Sequence, residues 1–234
     1  MDIRKIVIYV AVASTALLFS AAQAQEMIYS GFMTDYSQLV KVTDGTADYR
    51  YLSPGGMDKV AQYNAVMIDQ PEIFIANDSP YRGAKPKQLN TFAESIRTGI
   101  TSALSKNLYV VDQPGENVLY ISIAATNLKL TKRKRGILGY TPAGFVTGAV
   151  AGAATSNLAK KADLQGLVFE FEAFDSISGE RIIAIIDSIG SDVESPATWE
   201  ELEAFMAGYG RLLQCRFDNA RLPDEQRVDC FAQD

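Results

Sequence analysis

The stretch LQGLVFEFEAFDSISGERIIAIIDSIG spans Leu164 to Gly190. Two runs rich in aromatic and β-branched residues flank Ser176–Glu180, a short loop holding Gly179. Such runs favour strands, and a short glycine-containing connection favours a bulged hairpin. The first strand carries Glu170 and Glu172 two positions apart, on one strand face. The expectation for them is a solvated face, with an acid–base pair of carboxylates as the alternative.

Upstream of the hairpin, YNAVMID (Tyr63 to Asp69) predicts a first core strand, which IFIA would extend beyond Pro71. SPYRGAKP reads as a loop. From Pro86, the residues Leu89, Phe92, Ile96, Ile100 and Leu104 recur at helical steps, and Asn107 suits the end of that helix. LYVVD (Leu108 to Asp112) predicts a second strand, stopped by Pro114-Gly115, and NVLYISIAATNLKL a third. In the third strand Leu119, Ile121 and Ile123 point one way, Tyr120 and Ser122 the other.

Downstream, a helix is predicted from Pro196 to Phe217, with Thr198 and Glu201 forming a capping box. Trp199, Leu202, Met206, Tyr209, Leu213 and Phe217 line its apolar face. The order β-α-β-β, a special segment, then β-β-α, predicts an α+β fold with a mainly antiparallel sheet and two packing helices. Residues 25–57 read as an extended, aromatic arm punctuated by Tyr29, Phe32, Tyr36, Tyr49 and Tyr51. Residues 58–217 are expected to form one domain and 218–234 a C-terminal tail.

The first residues carry Arg4 and Lys5, an apolar run from Ile6 to Ala22, and an Ala22-Gln23-Ala24 site. This is the pattern of a secretory signal over 1–24, cleaved near Ala24. No cysteine lies beside that site, so lipid anchoring is not expected, and the mature chain should be periplasmic or secreted. In an oxidising compartment Cys215 and Cys230 should form a disulfide rather than a redox centre.

The chain has a net charge of −6 and contains no histidine. The first observation argues against a nucleic-acid partner. The second removes Ser-His-Asp and Cys-His triads, histidine metal sites and histidine switches. No S-x-x-K dyad and no calcium-loop motif occurs. Gly139 and Gly144 imitate a Walker loop, but Phe145 and Val146 stand where Lys and Ser/Thr would be needed. No catalytic residue, metal or cofactor is assigned. The remaining candidates for acid–base work are the carboxylates Asp69, Asp112, Glu170 and Glu172.

One segment, Lys129 to Lys161, stands apart. It holds seven bases and no acid, with Lys132, Arg133, Lys134 and Arg135 consecutive, while the whole chain is acidic. After Arg135 it runs to Ala159 without a charge. Thr141-Pro142 suits a helix start. Gly144, Gly148 and Gly152 then recur every four residues, which would let another backbone approach closely. Each glycine costs about 1 kcal/mol against alanine in a helix interior, so such a helix would need a partner. The run is long enough to span a membrane but too rich in Gly and Ala to favour lipid. A solvated basic loop is the plain alternative.

Three pieces taken together, YSGFMTDYSQL, the strand YNAVMID followed by SPYRG, and LYVVDQPGENVLYISIAATNL, resemble a bacterial envelope family called domain of unknown function 3313. The hairpin FEAFDSISGERIIAIIDS resembles that family's strand-turn-Gly-Glu-strand. The family's members are mostly inferred lipoproteins, so the resemblance implies an envelope location and a fold, and no catalytic residues. This chain departs from the pattern in lacking the lipid-attachment cysteine. The expectation is an interaction or assembly module that meets an envelope protein, an anionic membrane surface or a second copy of itself through residues 129–161. A small-ligand-binding domain using the aromatic arm is the alternative, and a carboxylate-based hydrolase a weaker one.

Overall fold

A computed structural model describes residues 29–43, 47–133, 158–159, 161–189 and 199–230. The chain order is β1 (Val40–Lys41), β2 (Tyr49–Leu52), α1 (Gly56–Gln62), β3 (Ala65–Ile68), β4 (Glu72–Ile75), α2 (Pro86–Leu104), β5 (Tyr109–Val111), β6 (Val118–Lys132), β7 (Ala162–Asp175), β8 (Arg181–Ile189) and α3 (Trp199–Ala220). All eight strands join one sheet in the order β1-β2-β8-β7-β6-β3-β5, with β4 also paired to β6. The long pairings β6–β7 and β7–β8 are antiparallel, while β3–β5, β3–β6 and β4–β6 are parallel. The fold is therefore α+β on a mostly antiparallel mixed sheet.

The hairpin read from Leu164 to Gly190 forms the middle of this sheet. Asp175 begins the turn, its carboxylate taking the backbone N–H groups of Ile177 and Ser178, and Gly179 adopts φ 70°. Glycine meets that left-handed requirement without steric cost. Strand β6 lies on the other side of β7 and is the longest in the sheet at 15 residues.

Along β6, Leu119, Ile121, Ile123 and Ala125 are buried in the main core. At Asn127 the backbone turns left-handed, φ 48°, and the pairing with β7 shifts register between Thr126 and Lys129. Asparagine tolerates that conformation better than other non-glycine residues. The shift acts as a bulge and reverses the side-chain parity. Leu128 and Leu130, at even positions, now enter the same core that odd positions filled before it.

Helix α2 follows the expected period: Phe92, Ile96, Ile100 and Leu104 are buried, Pro86 opens the helix, and the Gln88 carboxamide accepts the Lys85 backbone N–H at 3.0 Å. Helix α3 packs on α2, and Trp199, Leu202, Tyr209, Leu213 and Phe217 are buried as its face predicts. Trp199 meets Phe92 edge-on and donates its indole N–H to Ala162 O, which pins the helix start to the start of β7. Thr198, the expected cap of this helix, lies outside the described residues. The Cys215–Cys230 disulfide is present and fastens the tail to α3.

Several expectations need correction. IFIA does not lengthen the first core strand. Pro71 separates it as β4, and β3 and β4 pair in succession with the same edge of β6. Within the arm, the short strands β1 and β2 extend the sheet beside β8. Among the described residues three helices pack on the domain, one more than expected. The additional one, α1, starts after Gly55 at φ 67° and is only seven residues long, too short for a periodic signal. The final helix runs on to Ala220, into the expected tail.

Candidate functional site

Two places could serve function: the outer end of the β6–β7 ribbon and the sheet face opposite the helices.

At the ribbon end, β6 and β7 stay in register to their last pair, Lys132 opposite Ala162. The basic segment is thus the connection between two antiparallel neighbours. Arg133 secures its departure: the backbone N–H reaches Lys161 O at 3.0 Å, Nη1 donates to Ala159 O at 2.8 Å, and Nε pairs with Asp163 at 3.1 Å. Leu158 secures its return by inserting fully into the main core. Lys129 is held by Asp78 at 2.8 Å. Lys132 is exposed. The other residues singled out in this segment, Lys134, Arg135, Gly144, Gly148 and Gly152, lie outside the described residues. So Lys132 and Arg133 sit together at the neck, and Arg133 has a structural duty there.

On the opposite sheet face, Glu170 and Glu172 are not solvated: they are 0% and 4% exposed. This corrects the expectation of a solvent-facing strand. Residues Ser30 to Leu39 lie over them. Beneath this arm Met33, Leu39, Val168, Ala184 and Ile186 make a small cluster separate from the main core, edged by Phe32, Tyr36, Tyr49 and Tyr51. Tyr36 donates its hydroxyl to Glu170 Oε2 at 2.7 Å, and Thr126 donates to Glu170 Oε1 at 2.7 Å. Glu172 accepts from Arg181 Nη1 at 3.0 Å. The same guanidinium holds the arm, donating to Asp35 O and to Gln38 Oε1, and lies over the Tyr51 ring, 4.8 Å from its centroid. Burial pushes the Glu172 carboxyl above its usual range, with Arg181 opposing and the charges of Glu170 and Asp35 adding to the rise.

The four candidate carboxylates do not form a catalytic group. Asp69 accepts from the Tyr120 hydroxyl, Asp112 is exposed on the loop after β5, and the two glutamates are sealed under the arm. Among the described residues there is no group of three or more Cys, Asp or Glu that could hold a metal, and no helix is long and apolar enough to cross a membrane. Most of the arm's rings pack against the sheet, while Tyr29 stays 66% exposed. Tyr36, Tyr49 and Tyr51 lie on the sheet, and Tyr29 sits edge-on to Tyr36. The sequence does not single out Arg181 or Thr126, and marks Tyr36 only as a ring of the aromatic arm. A hairpin paired without a bulge would set Arg181 opposite Asp175, on the other face from Glu172; the shift between Ala173 and Phe174 sets it opposite Phe174 instead, and nothing local to Tyr36 points to a partner 134 residues away.

These features define a class: an α+β domain with helices on one sheet face, an extended N-terminal arm strapped over the other, and no assembled catalytic group among the described residues. The chain belongs to the family described as Protein of unknown function (DUF3313), whose model matches residues 28–214. No curated protein matches it. Among solved structures it is similar to a point variant of the PelC dodecamer from Paraburkholderia phytofirmans, at 12% identity and TM-score 0.34, covering 72% of this chain and 93% of that one. The PelC dodecamer in another crystal form gives 10% identity and TM-score 0.34, covering 72% and 94%. Lipoprotein GNA1162 from Neisseria meningitidis gives 10% identity and TM-score 0.29, covering 64% and 96%. Likeness at this level is too loose to transfer assembly or role.

Proposed function

We propose that this protein is a non-enzymatic envelope module that contacts an anionic partner, or a second copy of itself, through the segment between β6 and β7. The observation that carries this reading is the placement of the segment. It leaves and re-enters the domain at the adjacent ends of two paired strands, fixed by Arg133 on one side and Leu158 on the other. The main core thus has its own boundary, and residues 133–161, with five bases and no acid, are attached outside its register. Basic residues beside an acidic body favour phosphates of lipid head groups or acidic protein surfaces. The envelope assignment is supported by the signal-like residues 1–24 and by the family match over residues 28–214. The buried state of Glu170 and Glu172 favours this reading over a carboxylate hydrolase.

The test uses the mature chain, vesicles containing phosphatidylglycerol, and sedimentation velocity. Lys132, Lys134 and Arg135 are changed together to Gln, leaving Arg133 to hold the neck, and Gly148→Leu is made separately. The expected result is vesicle binding lost on charge removal, or self-association lost in Gly148→Leu, with the fold unchanged. Wild-type behaviour of both variants in both assays would remove the segment from the account.

A further inference from the structure

The arm is held in an unusual way. Residues 29–39 contain no helix or strand before β1, and their apolar cluster is distinct from the main core. Removing the arm would therefore leave the α2–α3 side of the sheet intact, the signature of a unit that opens sub-globally. Its polar anchors all converge on charged groups of the sheet. Tyr36 binds Glu170, while Arg181 joins Glu172 to the Asp35 carbonyl and the Gln38 side chain. The arm closes over two carboxylates on one strand face, and the Arg181 guanidinium is only 10% exposed.

We propose that residues 29–39 form a proton-dependent strap, closed over Glu170 and Glu172 at mildly acidic pH and released from the sheet as the pH rises. The groups that face Glu172 are Glu170 on its own strand, Arg181 on β8, and Asp35 and Tyr36 on the strap. Ser122 and Ala184, its register partners on β6 and β8, add no charge. The one guanidinium meets Glu172 and Asp35, while Glu170 is met by the hydroxyls of Tyr36 and Thr126, so the ionised glutamate pair is under-compensated once water is excluded.

Burial holds the Glu172 proton more tightly when the strap is closed than when it is open. A group whose carboxyl titrates higher in the closed state favours closure as pH falls through that raised range, and disfavours it as pH rises through it. Asp35 acts in the other sense. Its hydrogen bonds with Ser37 hold its carboxyl low, so its contribution is lost only in stronger acid. Burial raises the Tyr36 hydroxyl, so it stays protonated and donating through this window. Opening bares the two glutamates together with Tyr49 and Tyr51 on a sheet face that is otherwise covered. This inference does not depend on the segment between β6 and β7.

Hydrogen exchange of the full mature chain between pH 5 and pH 8, corrected for intrinsic rates, tests it. Peptides covering 29–39 should lose protection as pH rises, by up to about tenfold per unit of difference between the closed and open Glu172 titrations. Amides of α2 serve as the fold control and should not follow. Glu172→Gln should flatten the profile at the protected level. Tyr36→Phe should lower strap protection at every pH while keeping the slope. The proposal is overturned by a flat corrected profile in the wild type, or by a Glu172→Gln profile that retains the wild-type slope or shows the strap open throughout with α2 protected. Should Glu172→Gln lose α2 protection, the wild-type profile and Tyr36→Phe decide.

Discussion

Asp187 shows how one residue can weaken an otherwise regular element. It stands opposite Phe169 on β8, on the side of the sheet covered by α3. Burial, and then the charge of Asp48, raise its carboxyl to about 6. Tyr209 of α3 feels the same charge, its hydroxyl raised first by burial and then by Asp187, with Arg216 opposing. A carboxyl that titrates higher when folded binds its proton better in the native state. Its stabilising contribution is full in acid and is lost as pH rises through about 6. Asp187→Asn should therefore stabilise the protein at pH 8 by about 1–2 kcal/mol, after discounting for partial exposure, and leave stability at pH 4 nearly unchanged. Urea unfolding at the two pH values measures this. Equal effects at both would contradict it.

Elements explain what was legible beforehand and what was not. The β7–β8 hairpin and the apolar stripes of α2 and α3 are visible because local pattern and final environment agree. The parity reversal in β6 is fainter: the large aliphatics pass from odd positions (Leu119, Ile121, Ile123) to even ones (Leu128, Leu130) across Ala124 to Asn127, and only the left-handed Asn127 shows that both sets share one core. The burial of Glu172 was hidden, since it follows from an arm far away in the chain. At the α2–α3 crossing, a Cβ on Gly210 would stand 2.9 Å from Ala103 Cβ, whereas one on Gly99 would meet nothing within 4 Å. Gly210→Ala should lower stability by about 1–2 kcal/mol through overpacking. Gly99→Ala should raise it by about 0.5–1 kcal/mol through helix propensity. Thermal unfolding of both variants distinguishes close packing from propensity alone. In the tail, Asn219 exchanges hydrogen bonds with Val228, and the disulfide holds that contact. Cys230→Ser should cost about 3 kcal/mol. Exchange should rise first in residues 221–230, and a uniform rise across α3 would show that the bridge supports more than the tail.

At the scale of the molecule, a self-contained domain is distinct from the segment it carries. Lys132 and Ala162 are already paired, and Arg133 and Lys161 share a backbone hydrogen bond. Replacing residues 134–157 with a short polar turn should therefore leave the domain folded, with a change of about 1 kcal/mol or less, since closure cost varies slowly with loop length. Loss of cooperative unfolding in that variant would mean that the segment belongs to the core. The most direct measurement of the central claim is site-specific photocross-linking from position 148 in intact native envelopes, compared with position 112 on the exposed loop after β5. The account predicts products with lipid, another protein or a second copy from position 148, and far fewer from position 112. Products from position 148 confined to its own chain, with intermolecular products arising from position 112, would contradict it.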